Sequence, residues 1–242
     1  MNRKDFLKLS AALIAGYSIP SKWSRFADGN SSRYEIPASL DDSYLIKGLT
    51  AMTRTEHWFD AHWGAALIAG YYLCKENQIH EQTAIAVKDQ LDAMIQLRTE
   101  QFAPLHDEQS DETLIDELPL ALHPALEGGL RAHGHAVIFT SLSLKALRDV
   151  PQMAQPGIIQ RLCDLIERIS KNTPQSPNAS WEPYLDSQEM IESTFNSLTR
   201  FKELLGRPSI LRPNFTHMIT HTEALLNLEE MGYDDLAKKG HI

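Results

Sequence analysis

Apolar residues recur at helical spacing along nearly the whole chain from about residue 40 onward. In the segment 80–99, for example, five apolar residues follow one another at spacings of three or four positions: Ala84, Val87, Leu91, Met94 and Leu97. This is the period of one face of an α-helix. The same period predicts helices over 45–52, 57–76, 112–122, 124–130, 131–147, from Pro156, over 190–205 and near the C-terminus. No series of strands and turns is present, so the pattern predicts an all-α fold.

The predicted helices are of two kinds. Segments 57–76 and 131–147 are apolar nearly all round, and such helices must be covered on most sides. Segment 80–99 and the helix that Pro156 begins are amphipathic and need cover on one face only. The latter directs these residues to a core: Ile158, Ile159, Leu162, Leu165, Ile166 and Ile169. Pairs of inner and outer helices predict an α/α barrel-like arrangement or an irregular bundle, in a single domain over 36–242.

The first 35 residues differ from this pattern. Arg3 and Lys4 precede a Phe-Leu-Lys block, and a mostly apolar run over 9–19 follows. That run is too short for a membrane span of about 20 residues. It resembles a twin-arginine export signal, with Lys4 in place of the second arginine; the alternative is an amphipathic N-terminal helix. The resemblance implies export, to a bacterial periplasm or in association with a membrane, with this segment as the only membrane contact.

Composition narrows the classes of function. The chain has 242 residues, a formal net charge of −9 and no Lys/Arg-rich run in its body, which disfavours nucleic acid as a partner. Its two cysteines, Cys74 and Cys163, lie in apolar periodic segments and are expected to be buried. Sequence alone leaves open whether they form a disulfide. Dinucleotide, P-loop and nucleophile-elbow motifs are absent from the sequence.

Histidines stand near the starts of three predicted inner helices. An H-x-x-A pattern begins at His62, His133 and His221. Burying an imidazole without a hydrogen-bond partner costs free energy. The presence of histidines in three inner helices therefore predicts that they meet at one cavity. His217 and His221 are four residues apart and share a helix face. His80 begins "HEQTA", which lacks the second histidine of a zinc-binding H-E-x-x-H helix.

Two of the histidines lie too close in sequence to share a role. His133 and His135 are two residues apart, or about 200° around a helix, so they cannot both face inward if both are helical. His135 aligns with the apolar stripe that contains Phe139, and His133 is expected to cap the helix. Catalysis, metal binding and purely structural hydrogen bonding all stay open for the set, and the sequence leaves a metal undecided.

Three short blocks resemble the questin oxidase-like family, in the same order. The central block "HAVIFTSLSLKAL" is similar to the family's H-G-x-I-R-T-x-H-A-x-R-A-L run, with Phe139 and Leu142 where the family has arginine and histidine. The block "FTHMITHTEALLNL" resembles a later F-x-H-A-V-T run through Phe215, His217 and Thr220. The early block "HWGAALIAGYYL" supplies His62 as the counterpart of another family histidine.

The resemblance implies an oxidoreductase that acts on a hydrophobic or aromatic small molecule. In the family this is a Baeyer–Villiger type oxygen insertion beside a ketone, assisted by NADPH. His62, His135 and His217 would then be catalytic, one of them as a general base on a phenol or hydroperoxide. The expected substrate-binding residues are Trp63, Phe139, Thr220 and His221. The alternative from the residues themselves is a non-catalytic helical protein that binds a metal, haem or apolar ligand.

Overall fold

A computed structural model describes residues 40–174, 184, 186–200 and 215–240. The predicted signal segment 1–35 and the linker up to residue 39 lie outside the described residues. Within the described ranges the chain forms α-helices and short 3₁₀ turns without a β-strand, which confirms the all-α prediction. None of the described helices has the length and apolar character needed to cross a membrane.

Ten α-helices are present in the described part of the chain. In order they are α1 Ser43–Thr53, α2 His62–Glu76, α3 Glu81–Leu97, α4 Thr99–Phe102, α5 Glu117–Leu122, α6 His135–Asp149, α7 Pro156–Ser170, α8 Ser187–Arg200, α9 Phe215–Glu230 and α10 Asp234–Gly240. The 3₁₀ turns are Trp58–Ala61, Glu112–Asp116, His123–Leu126, Ala132–Gly134 and Pro151–Met153. The arrangement is an irregular helical bundle.

The inner helices pack closely because small residues lie at their crossings. A Cβ on Gly64 of α2 would come within 2.2 Å of the Gly48 carbonyl oxygen of α1 and 2.8 Å of the Met52 backbone nitrogen. The backbones of α1 and α2 are therefore in direct contact. Helix α6 is buried along most of its length, and its Leu144 and Leu147 side chains are fully buried.

The outer helices bury the faces that the sequence indicates. All six residues predicted to reach the core from α7 are buried, and Pro156 occupies the first turn, where its missing N–H costs nothing. Helix α3 buries Ala84, Val87, Leu91 and Met94. Leu97 was wrongly included in that face, because α3 ends there and the side chain is exposed.

Several predicted boundaries shift because histidines and acidic residues cap the helices. The predicted helix over 57–76 begins with a 3₁₀ turn, and the α-helix itself starts at His62. His80 accepts a hydrogen bond from the Gln82 backbone N–H and caps α3, so "HEQTA" is a helix start. The Asp186 carboxylate accepts a hydrogen bond from the Glu189 backbone N–H and caps α8, which begins three residues before the predicted start at 190. Cys74 and Cys163 are both free and buried.

Lys145 joins three helices at one end of the bundle. Its ammonium group on α6 lies 2.7 Å from a carboxylate oxygen of Glu76, the last residue of α2. The same nitrogen donates to the side-chain oxygen of Asn227 on α9, at 3.1 Å. Helices α2, α6 and α9 thus meet near their C-terminal ends, and their N-terminal ends lie together at the opposite end.

Candidate functional site

The site begins at a strained turn before α6. Ala132, His133 and Gly134 have φ angles of 44°, 57° and 82°, so three successive residues adopt the left-handed region. For residues with a Cβ this conformation costs about 1–2 kcal/mol each. The turn places the Ala132 carbonyl oxygen against Nδ1 of His135, the first residue of α6. Strain of this kind persists where the surrounding structure enforces it.

A second turn places His62 in the same way. His57 accepts a hydrogen bond from the Phe59 backbone N–H at 3.2 Å and caps the 3₁₀ turn Trp58–Ala61. The Phe59 carbonyl oxygen then lies 2.6 Å from Nδ1 of His62, the first residue of α2. In both helices the carbonyl three residues before the histidine fixes the orientation of the ring.

The two imidazoles meet through their remaining nitrogens. Nε2 of His62 lies 2.8 Å from Nε2 of His135, and the ring centroids are 4.7 Å apart. A carbonyl oxygen can only accept a hydrogen bond, so each Nδ1 that contacts one must carry the hydrogen. In the neutral form each Nε2 then presents a lone pair, and the two lone pairs face each other.

Counting hydrogens shows what this arrangement needs. The chain Phe59 carbonyl, His62, His135, Ala132 carbonyl contains three contacts, and each requires one hydrogen. Two neutral imidazoles supply two hydrogens. The pair therefore satisfies all three contacts only when it gains one more proton, or when another electron-pair acceptor lies between the two Nε2 atoms.

Aromatic rings flank the pair, in which His135 is buried and His62 is partly buried. Trp58 lies 4.9 Å from His135 between ring centroids, Phe59 lies 4.6 Å from His62, and Phe139 lies within 5.4 Å of both imidazoles. Burial lowers the pKa of His62 to about 4 and that of His135 to about 3. Both rings are therefore neutral at pH 7, and at that pH one of the three contacts lacks its hydrogen.

His217 and His133 extend the pair into a row of four imidazoles. The His217 ring lies 4.8 Å from that of His135, and the His133 ring lies 5.4 Å from that of His217. The charges of His62, His217 and His133 all lower the pKa of His135 further. The predicted helix over 131–147 begins only at His135, because the left-handed backbone of His133 places it in the turn before α6.

His221 has a different position from the other predicted residues. Its Nε2 lies 3.0 Å from the Gly240 carbonyl oxygen, and its ring occupies the space that a Cβ on Gly134 would fill. Burial lowers the pKa of His221, while the backbones of Gly240 and Gly134 act in the opposite direction. His221 thus packs the last helix against the strained turn.

The other predicted binding residues divide between the cluster and its surroundings. Phe139 lies in the cluster, with a ring centroid 5.2 Å from that of His62. Trp63 is buried, and the Arg98 guanidinium lies 5.1 Å from its ring centroid. Thr220 is exposed, and its hydroxyl donates to the Thr216 carbonyl oxygen in its own helix. The tryptophan that packs beside His135 is Trp58 and not Trp63. The sequence gives no reason to prefer one of these two tryptophans to the other.

The sequence could not identify the groups that set the tautomers. These are the backbone carbonyls of Phe59 and Ala132, and backbone groups leave no signature in residue type. A weak signal exists in the small residues Ala132 and Gly134 before His135, because glycine favours the left-handed region.

The donor set and the comparisons with known proteins add two negative findings. Among the described residues, no group of three or more His, Cys, Asp or Glu side chains is arranged to hold a metal ion. Comparison of the chain with protein-family models, curated proteins and solved structures found no match.

Proposed function

We propose that this protein is an oxidoreductase that acts on a hydrophobic aromatic small molecule, and that the His62–His135 pair takes a proton from the substrate. One observation carries the proposal. The two Nε2 atoms lie 2.8 Å apart with both Nδ1 atoms engaged by carbonyl oxygens, so the neutral pair lacks one hydrogen. A phenol or hydroperoxide O–H group supplies that hydrogen, and the anion that it leaves beside the pair offsets the burial that lowers the pKa of each ring, because opposite charges stabilise each other.

The directions of three helices support a role for the pair in taking a proton from the substrate. Helices α2 and α6 begin at His62 and His135, and α9 carries His217 in its first turn. Each helix N-terminus carries a partial positive charge of about half an electron. Three such ends near one point stabilise the phenolate or peroxide anion that remains after the proton leaves.

The resemblance to questin oxidase-like proteins supplies the reaction class. Insertion of one oxygen atom beside a ketone consumes dioxygen, two electrons and two protons, and releases one water molecule. The described cluster of imidazole and aromatic rings does not fit a nicotinamide dinucleotide, because it holds no lysine or arginine for the phosphates. The two electrons that the reaction consumes would therefore come from a two-electron reductant that does not bind as a dinucleotide at this cluster.

The test uses a phenol whose colour reports its ionisation. We expect 1,8-dihydroxyanthraquinone to bind at neutral pH with the visible spectrum of its phenolate. His62→Gln and His135→Gln should abolish the phenolate spectrum, whereas His106→Gln on an exposed loop should retain it. Binding of the neutral phenol by the unsubstituted protein, or a phenolate spectrum that persists in both pair variants, would contradict the proposal.

Metal binding is the second candidate, and the same orientation of the rings favours it. Histidine ligands commonly donate their other N–H to a backbone carbonyl, as His62 and His135 do. A metal would have two imidazole ligands from the pair and would need further ligands from solvent or substrate. Elemental analysis of the purified protein and titration with Zn²⁺ or Cu²⁺ distinguish the two candidates. If the unsubstituted protein binds one metal ion per chain and His135→Gln binds none, the pair is a metal site and not a proton acceptor.

A further inference from the structure

A cleft of about 310 Å³ opens on another part of the surface, between the end of α1 and one face of α7. Its lining residues are Thr53, Arg54, Thr55, Glu56, Arg161, Asp164 and Arg168. Three arginines and two acidic residues give the cleft a formal charge of +1, in a chain whose net charge is −9. The cleft is thus a local positive region on an acidic protein.

None of the three guanidinium groups is ion-paired within the described residues. The ion pairs there are formed by Lys75, Lys88 and Lys145. Arg54 donates instead to the Pro104 carbonyl oxygen at 2.8 Å, and Arg168 donates to the Thr55 hydroxyl at 3.2 Å.

Arg168 shows the clearest deficit of partners. Its Nε is buried and has no hydrogen-bond partner in the described residues. A buried donor on a charged group is costly when it is left unsatisfied. Arg161 lies seven residues before Arg168, about two turns along α7, and so lines the same cleft with an exposed side chain.

We propose that this cleft binds a small oxyanion, as a phosphate or carboxylate group of a ligand. Guanidinium groups form paired N–H···O hydrogen bonds with both kinds of anion. An oxyanion would compensate the positive charge of Arg54, Arg161 and Arg168 and offer an acceptor near the buried Nε. This inference is independent of the proposed function of the histidine pair.

The cleft is connected to the histidine cluster through a short segment of backbone. Thr55 and Glu56 immediately precede His57, which caps the turn that carries Trp58. Trp58 in turn packs against His135. An anion that holds Thr55 and Arg168 together therefore also fixes the segment that positions Trp58.

Isothermal titration calorimetry with inorganic phosphate, pyrophosphate and succinate tests the proposal. We expect one site per chain for a phosphate-type or a carboxylate probe, and the probe that binds identifies the source of the oxyanion. Arg161→Gln should weaken that binding at least tenfold, because Arg161 is exposed and its loss does not disturb the core. Arg148→Gln makes the same change in net charge on an exposed residue outside the cleft and should leave the affinity unchanged.

A second variant separates recognition from general charge. Arg168→Lys keeps the positive charge but removes Nε and the guanidinium fork, and it should weaken binding at least fivefold. Thermal unfolding and circular dichroism establish that each variant is folded. The proposal is overturned if none of the three probes binds at millimolar concentration, or if Arg161→Gln and Arg148→Gln weaken binding equally.

Discussion

Acidification should destabilise the fold through His62, and the size of the effect follows from its environment. Burial lowers the pKa of His62 from 6.5 to about 4. Below pH 6.5 the unfolded chain binds a proton at this position that the folded chain does not bind. The contribution of His62 to stability is therefore complete above pH 6.5 and is lost as the pH falls towards 4.

The magnitude at pH 5 comes from the two proton-binding equilibria. With a pKa of 6.5 in the unfolded state and about 4 in the folded state, linkage gives a loss of about 2 kcal/mol at pH 5 relative to pH 7. This is a substantial part of the about 5–15 kcal/mol that stabilises a typical domain. His135 adds to the loss for the same reason, because its pKa is also lowered by burial.

Urea unfolding followed by circular dichroism at pH 5 and pH 7 measures the effect. The difference in unfolding free energy between the two pH values should be about 2 kcal/mol smaller in His62→Gln than in the unsubstituted protein. Comparing differences cancels the pH-independent cost of the substitution. His106→Gln, on an exposed loop, should keep the full difference. An unchanged pH difference in His62→Gln would refute the reasoning that His62 is a buried neutral imidazole.

Three further predictions concern the backbone contacts and a buried thiol. Gly134→Ala should cost at least 2 kcal/mol in urea unfolding, because φ is 82° and a Cβ would meet His221 Nδ1 at 2.2 Å; a loss below 0.5 kcal/mol would show that this turn relaxes. Gly64→Ala should cost about 3 kcal/mol, since the Cβ would meet the Gly48 carbonyl oxygen at 2.2 Å, and an unchanged melting temperature would contradict direct contact of α1 with α2. Burial raises the pKa of the Cys163 thiol from 9.0 to about 11. At pH 8 an aromatic disulfide reagent should therefore label Cys163 about 100-fold more slowly in the folded protein than in the urea-unfolded protein. Rapid labelling of the folded protein would show that the thiol is accessible.

The sequence predicts the helices well because burial is periodic in them. The core face of α7 and the position of Pro156 follow directly from spacing. Boundaries are less predictable where a side chain caps a helix, as His57 does for the turn that precedes α2. The same apolar run is compatible with a continuous helix, whereas in the structure His57 accepts from the Phe59 N–H and caps a 3₁₀ turn, and α2 begins only at His62.

The candidate site is predictable in its residues but not in its geometry. The positions of His62, His135 and His217 near helix starts indicate that they meet, and the described structure places their rings together. The residue type of Ala132 gives no indication of its left-handed backbone, and that of His133 gives only a weak one, since histidine adopts this region more often than most residues but still uncommonly. The contact between the two Nε2 atoms depends on that backbone, and spacing therefore could not reveal it.

The contact of Lys145 with Glu76 and Asn227 has a mechanical consequence for access to the cluster. Lys145 is ten residues from His135 and Asn227 is ten residues from His217, so the tether and the imidazoles are about 15 Å apart along each helix. The hydrogen bond from Lys145 to Asn227 holds the C-terminal half of α9 against α6, so a separation of the two helices that keeps this bond is a tilt about Lys145. A tilt of about 10° would move His217 by about 3 Å and leave the Lys145 contacts in place. A lever of this kind has its fixed end at the Lys145–Asn227 hydrogen bond and carries His217 at its other end.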